Sequence, residues 1–72
     1  MSRSERERET RNRLLATLSA NKDGLTISDI SRVLGLHYTT ASKYLAVLEA
    51  ENKLMHRDIG MAKVFKLKEV ET

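Results

Sequence analysis

His37 and His56 are the only side chains of this 72-residue chain whose ordinary pKa lies near neutrality. They fall in separate segments, and neither has a carboxylate placed to support it. There is no cysteine, which excludes a thiolate nucleophile, a thiolate metal site and a disulfide framework. No Ser–His–Asp ordering, phosphate-cradling glycine loop or pair of carboxylates on apolar ground is visible. An enzyme is therefore not expected, and neither is a metal or a cofactor. The chemistry that remains is hydrogen bonding and charge, and it gathers in "GLHYTTASKYLAVLEAENK", residues 35–53. At ~100° per residue, Ala41, Tyr44, Leu45 and Leu48 share one narrow arc of a helix. The opposite face carries Thr39, Ser42, Lys43, Ala46 and Ala50. It has one cation and is otherwise small, so another surface can come close to the helix backbone and meet hydroxyls there.

The flanking segments must hold that helix in place. Residues 1–13, "MSRSERERETRNR", contain five arginines and three glutamates and no apolar residue after Met1. Glu7 with Arg11 and Glu9 with Arg13 have the i,i+4 spacing of favourable helix pairs. Nothing in this stretch forms a buried stripe, so it is expected either to extend the first helix or to be a disordered arm. Burial begins at Leu14, with Leu15 and Leu18 on the same side, in a helix that ends near Asn21. "NKDG" is an exit and turn in which Gly24 is free to take positive φ.

Thr26 and Asp29 have the spacing of a capping box at the start of a second, short helix. Ile27, Ile30 and Leu34 share its face, and Ser28, Asp29 and Arg32 point away. Gly35 follows as a C′ glycine. His37 or Tyr38 must then cap the third helix, although neither favours that position. Asn52 is its left-handed stop. From Leu54 the period changes to alternation, which predicts a hairpin with a loop of about four residues near Asp58 to Met61. Leu54, Phe65 and Leu67 should face the helices. Two strands alone make a poor sheet, so Gly24 to Thr26 is expected to add a short third one. Residues 69–72 are a polar tail. The domain proper is thus 14–68, mainly α with a small β-hairpin.

The formal net charge is +3, a modest surplus that suits a polyanion. No run approaches the ~20 apolar residues of a membrane span, and the charged N-terminus does not resemble a secretory signal. A cytoplasmic location is expected. Arg57 and Lys63 flank the hairpin loop. Met55, Ile59 and Met61 lie around it, either packing locally or forming an exposed contact surface.

Residues 25–67, "LTISDISRVLGLHYTTASKYLAVLEAENKLMHRDIGMAKVFKL", resemble the winged helix-turn-helix of bacterial and archaeal transcription regulators, the archaeal ones most nearly. The resemblance implies three helices with a two- or three-stranded wing. It also implies sequence-specific binding of double-stranded DNA, with the third helix in the major groove and the wing on the backbone. Carried onto this chain, Tyr38, Thr39, Ser42 and Lys43 would be the main contacts. Thr40 would bond to the backbone, Arg32 to phosphates, and Arg57 and Lys63 would act from the wing. His37 stands where the family usually has a small capping residue. Such modules pair as homodimers. Residues 1–13 would then supply the dimer contact or, failing that, a DNA-tracking arm. No small-molecule effector is evident, and the protein would sit on the nucleoid. The alternative is a winged-helix module that binds protein and contacts no DNA.

Overall fold

A computed structural model describes residues 2–68 of the chain. The elements in order are α1 (Arg3–Ala20), β1 (Leu25–Thr26), α2 (Ile27–Leu34), α3 (Tyr38–Ala50), β2 (Leu54–Ile59) and β3 (Ala62–Leu67). The three strands form one antiparallel sheet in the order β1-β3-β2. The helices cover one side of it. This is the expected three-helix, α+β winged arrangement, with the expected third strand present. The expected tail, 69–72, lies outside the described residues.

Local chemistry sets the helix ends. Ser2 caps α1, its hydroxyl accepting from the Glu5 N–H at 3.2 Å. The helix therefore begins at Arg3 and runs unbroken through the arginine–glutamate stretch into the apolar one. At α2 both halves of the capping box are made. The Asp29 N–H donates to the Thr26 hydroxyl at 3.1 Å, and the Thr26 N–H donates to the Asp29 carboxylate at 3.3 Å. Both α2 and α3 close with the same paired bonds. Leu36 N–H donates to Ser31 C=O and Gly35 N–H to Arg32 C=O; Lys53 N–H donates to Leu48 C=O and Asn52 N–H to Glu49 C=O. Gly35 and Asn52 each have φ 67°, the left-handed residue such a motif needs. The start of α3 is weaker. His37 occupies the cap position but makes no side-chain bond to the helix.

The core is one cluster. Leu14 and Leu18 of α1, Ile30 and Leu34 of α2, Ala41, Leu45 and Leu48 of α3, and Leu54 and Phe65 of the sheet are all buried. Leu15, Leu25, Ile27, Leu36, Tyr44 and Leu67 pack around it. Gly24 is what lets β1 reach β3. Its φ is +99°, and a Cβ there would stand 2.6 Å from Val64 Cγ1 and 2.9 Å from the Phe65 carbonyl oxygen.

Two expectations fail. The hairpin loop has two residues, not about four, because Ile59 pairs with Ala62 across Gly60 and Met61. Gly60 has φ 62° and Met61 does not share the positive sign, as in a II′ turn with glycine first. The last strand residues face solvent on both sides of the ribbon, so no hydrophobic alternation marks them. The pairs Glu7–Arg11 and Glu9–Arg13 are also not formed. Glu7 bonds back to Arg3 at 3.2 Å, and Arg11 crosses to Glu51 at the end of α3. Glu51 stands at the negative end of that helix, where a carboxylate is unfavourable, and Arg11 with Lys53 at 3.8 Å offsets it.

Candidate nucleic-acid interface

The exposed residues of α3 divide into a crest and two flanks. Thr39, Lys43, Ala46 and Ala50 form the crest, and all four are exposed. On one flank, Tyr38 and Ser42 turn toward the wing. There they line an open groove of about 430 Å³ with Ser28 and Ile27 at the start of α2 and Met61 and Lys63 on the hairpin. On the other flank, Thr40, Lys43, Tyr44 and Val47 face α1 and line a second groove with Glu7 and Arg11. The acids of α3 are kept to its far end. Glu49 bonds His56 of β2, so, contrary to expectation, one of the two histidines does have a carboxylate beside it; Glu51, just past the helix end, is held by Arg11. The N-terminal two-thirds of the helix therefore presents hydroxyls, one lysine and methyl groups, with no carboxylate of its own.

The wing-side groove has the makings of an anion track. Three hydroxyls, of Ser28, Tyr38 and Ser42, meet one lysine, Lys63. The start of α2 adds backbone N–H groups and the positive end of a helix dipole. Asp29 stands at the same helix start, but its carboxylate is engaged by Thr26 and, at 3.1 Å, by Arg32. The Thr26 side-chain hydrogen bond, then the backbone one, hold the Asp29 pKa below its ordinary value, with a smaller push from Arg32. A groove of this size could take a small ligand. Its polar, open wall suits a chain that passes through.

The expected site residues are only partly brought together. Tyr38, Ser42 and Lys63 share the wing-side groove. Thr39 and Lys43 stand on the crest, Lys43 also lining the α1-side groove, and Thr40 lies on that same side. Arg32 lies in neither groove and is ion-paired, with its side chain still about three-quarters exposed. Arg57 is not with Lys63. In the β2–β3 ladder Arg57 pairs with Val64, and Lys63 pairs with Asp58. Paired residues share a face and neighbours alternate, so the two cations point from opposite sides of the ribbon. Ser28, not among the expected contacts, also lines the wing-side groove. The capping box beside it was the available signal, because that box fixes where the helix start, and its unpaired N–H groups, must lie.

The IclR helix-turn-helix domain family matches residues 13–58, more than half of the chain. The chain belongs to that family, the winged helix-turn-helix DNA-binding domains of bacterial and archaeal transcription regulators. No curated protein and no solved structure matches it. Among the described residues, no helix is long and apolar enough to cross a membrane, and no group of three or more His, Asp or Glu is placed to hold a metal.

Proposed function

We propose that the protein is a sequence-specific transcription regulator that lays the α3 crest in the major groove of double-stranded DNA. The observation that carries this reading is the continuity of crest and groove: a lean, acid-free helix face runs directly into a track of hydroxyls and a lysine. Thr39 and Lys43 address base edges, with Ser42 at the border between bases and backbone. Ala46 lets the helix sink. Tyr38, Ser28 and Lys63 hold a phosphodiester strand along the groove, Thr40 takes a phosphate from the α1 side, and Arg32 takes an outlying one. Arg57 has no share in that groove.

Two copies bind together on the nucleoid, because one short helix reads too few base pairs for useful selectivity. The arginine–glutamate part of α1, exposed over residues 2–9, is the segment left to join them.

Selection of bound duplexes from a random pool, with sedimentation of the free protein, tests this reading. A palindromic winner and a dimeric mass are expected. Affinity for the winner should fall steeply between ~50 and ~200 mM salt. Lys63→Ala should weaken all duplexes alike and lower the salt slope by about one. Lys43→Ala and Ser42→Ala should instead cut discrimination by ~1–3 kcal/mol. No duplex affinity even at low salt would reject the reading and favour the protein-binding alternative.

A further inference from the structure

The outer face of the wing sheet has no role in the DNA reading. Leu54, His56, Phe65 and Leu67 point toward the helices, so Met55, Arg57 and Ile59 of β2 point away. Across the ladder they meet Lys66, Val64 and Ala62. The β2 residues are open to solvent, Met55 41% exposed and Ile59 54%, while Val64 and Lys66 of β3 are half-buried. The face carries two cations and no acid, since Asp58 lies on the other side of the ribbon. Among the described residues neither Arg57 nor Lys66 forms an ion pair.

β2 is also a sheet edge, because β3 is its only neighbour. Natural edge strands are usually blunted by charged side chains, proline or a bulge; β2 carries Arg57 on its outer face and Asp58 on the other. β2 has no proline and no lysine, and its six ladder pairs run without interruption.

We propose that this edge and face bind an extended, acidic segment of a partner protein. Along β2 the outward residues read apolar, cationic, apolar at two-residue spacing. A strand added beside β2 presents alternate side chains at the same spacing. The matching motif is apolar–x–acidic–x–apolar, with the acidic residue opposite Arg57 and within reach of Lys66. Charge favours an acidic partner over a second copy paired in register. A two-fold axis through Arg57 would set it against its own copy with no acid between them. The surface faces away from Lys63, so a partner and DNA fit together. The inference does not depend on DNA binding.

The probe is a short fluorescent peptide containing Ile-x-Glu-x-Ile, with an Ile-x-Lys-x-Ile peptide as control. Binding is followed by anisotropy and by backbone amide shifts. The glutamate peptide is expected to bind and the lysine peptide not. Shifts should gather on β2 and the outward positions of β3. Arg57→Glu and Ile59→Asp should each weaken binding about tenfold or more, whereas Lys63→Glu and Ser42→Ala should leave it unchanged. Both altered side chains are exposed, and unchanged thermal unfolding verifies that the variants are folded.

Absence of peptide binding overturns the proposal. So do shifts centred on Tyr38 and Ser42, which would make the peptide a mere phosphate mimic. If Arg57→Glu lowers duplex affinity as much as Lys63→Glu does, the face belongs to DNA. If the peptide-free protein dimerises and Ile59→Asp abolishes the dimer, the occupant is a second copy. Loss of duplex binding with retained peptide binding would reject the DNA reading alone.

Discussion

At the scale of single residues, position counts for more than type. Thr26 is a strand residue, a helix cap and a hydrogen-bond partner of Asp29 at once. Asp29 in turn completes the cap, faces Arg32 and keeps its charge away from the groove. Its pKa is depressed, so the sign of its pH effect follows. The carboxylate contributes stability fully above its unfolded-state value, near 4. That contribution is lost as pH falls below this value and through the lower folded pKa. Acid unfolding followed by circular dichroism should therefore show a stability loss that begins below about pH 4, and Asp29→Asn should flatten that part of the curve. A variant with the same acid profile as the parent would show that the capping contacts do not discriminate between the two protonation states.

At the scale of elements, the two connections around α3 were built with different care. Its C-terminus has a full pair of closing bonds with Asn52 in the left-handed position. Its N-terminus has His37, whose backbone is extended as a cap requires but whose side chain gives nothing to the helix. A serine there could accept from the free N–H groups. His37→Ser should stabilise the fold by ~0.5–1 kcal/mol in urea unfolding. A loss of stability would mean that the imidazole makes a contact that matters more than the cap. The unfilled cap leaves the first N–H groups of α3 available beside Tyr38, where a phosphate would meet them. The start of α1 shows the reverse case. There the Ser2 hydroxyl accepts from the Glu5 N–H, a cap contact in a stretch whose composition left helix and disordered arm both open.

At the scale of the whole molecule, a single cluster joins every element. Leu48 is fully buried in it, on the helix that carries the crest. Leu48→Ala should cost ~2–5 kcal/mol. For a domain this short that is a large share of the total stability. The variant should unfold at lower temperature and lose helix, strand and duplex binding in one transition. Helical signal that survives loss of the near-ultraviolet signal would instead show that α1 stands partly on its own. The same cluster fixes the division of surfaces. The helices occupy the inner side of the sheet, so the groove and the outer wing face look in different directions.

Sequence alone determined the order of the elements and the ends of α2 and α3. Helical and strand periods, the Thr26–Asp29 box, Gly35 and Asn52 all act within a few residues, and a neighbour's chemistry is enough to specify them. It also determined that α3 would have a lean face, since the apolar arc leaves only small side chains opposite. Only the tertiary structure decided the rest. The loop came out shorter because pairing of Ile59 with Ala62 is a matter of register, and exposed strand ends leave no pattern to count. Arg11 bonds Glu51 because the fold brings the N-terminal half of α1 beside the end of α3, a contact 40 residues away in the chain. Arg57 and Lys63 flank the same loop, yet ladder register sets them on opposite faces. Whether they serve one partner or two was therefore a question of three-dimensional pairing, to which local spacing is blind.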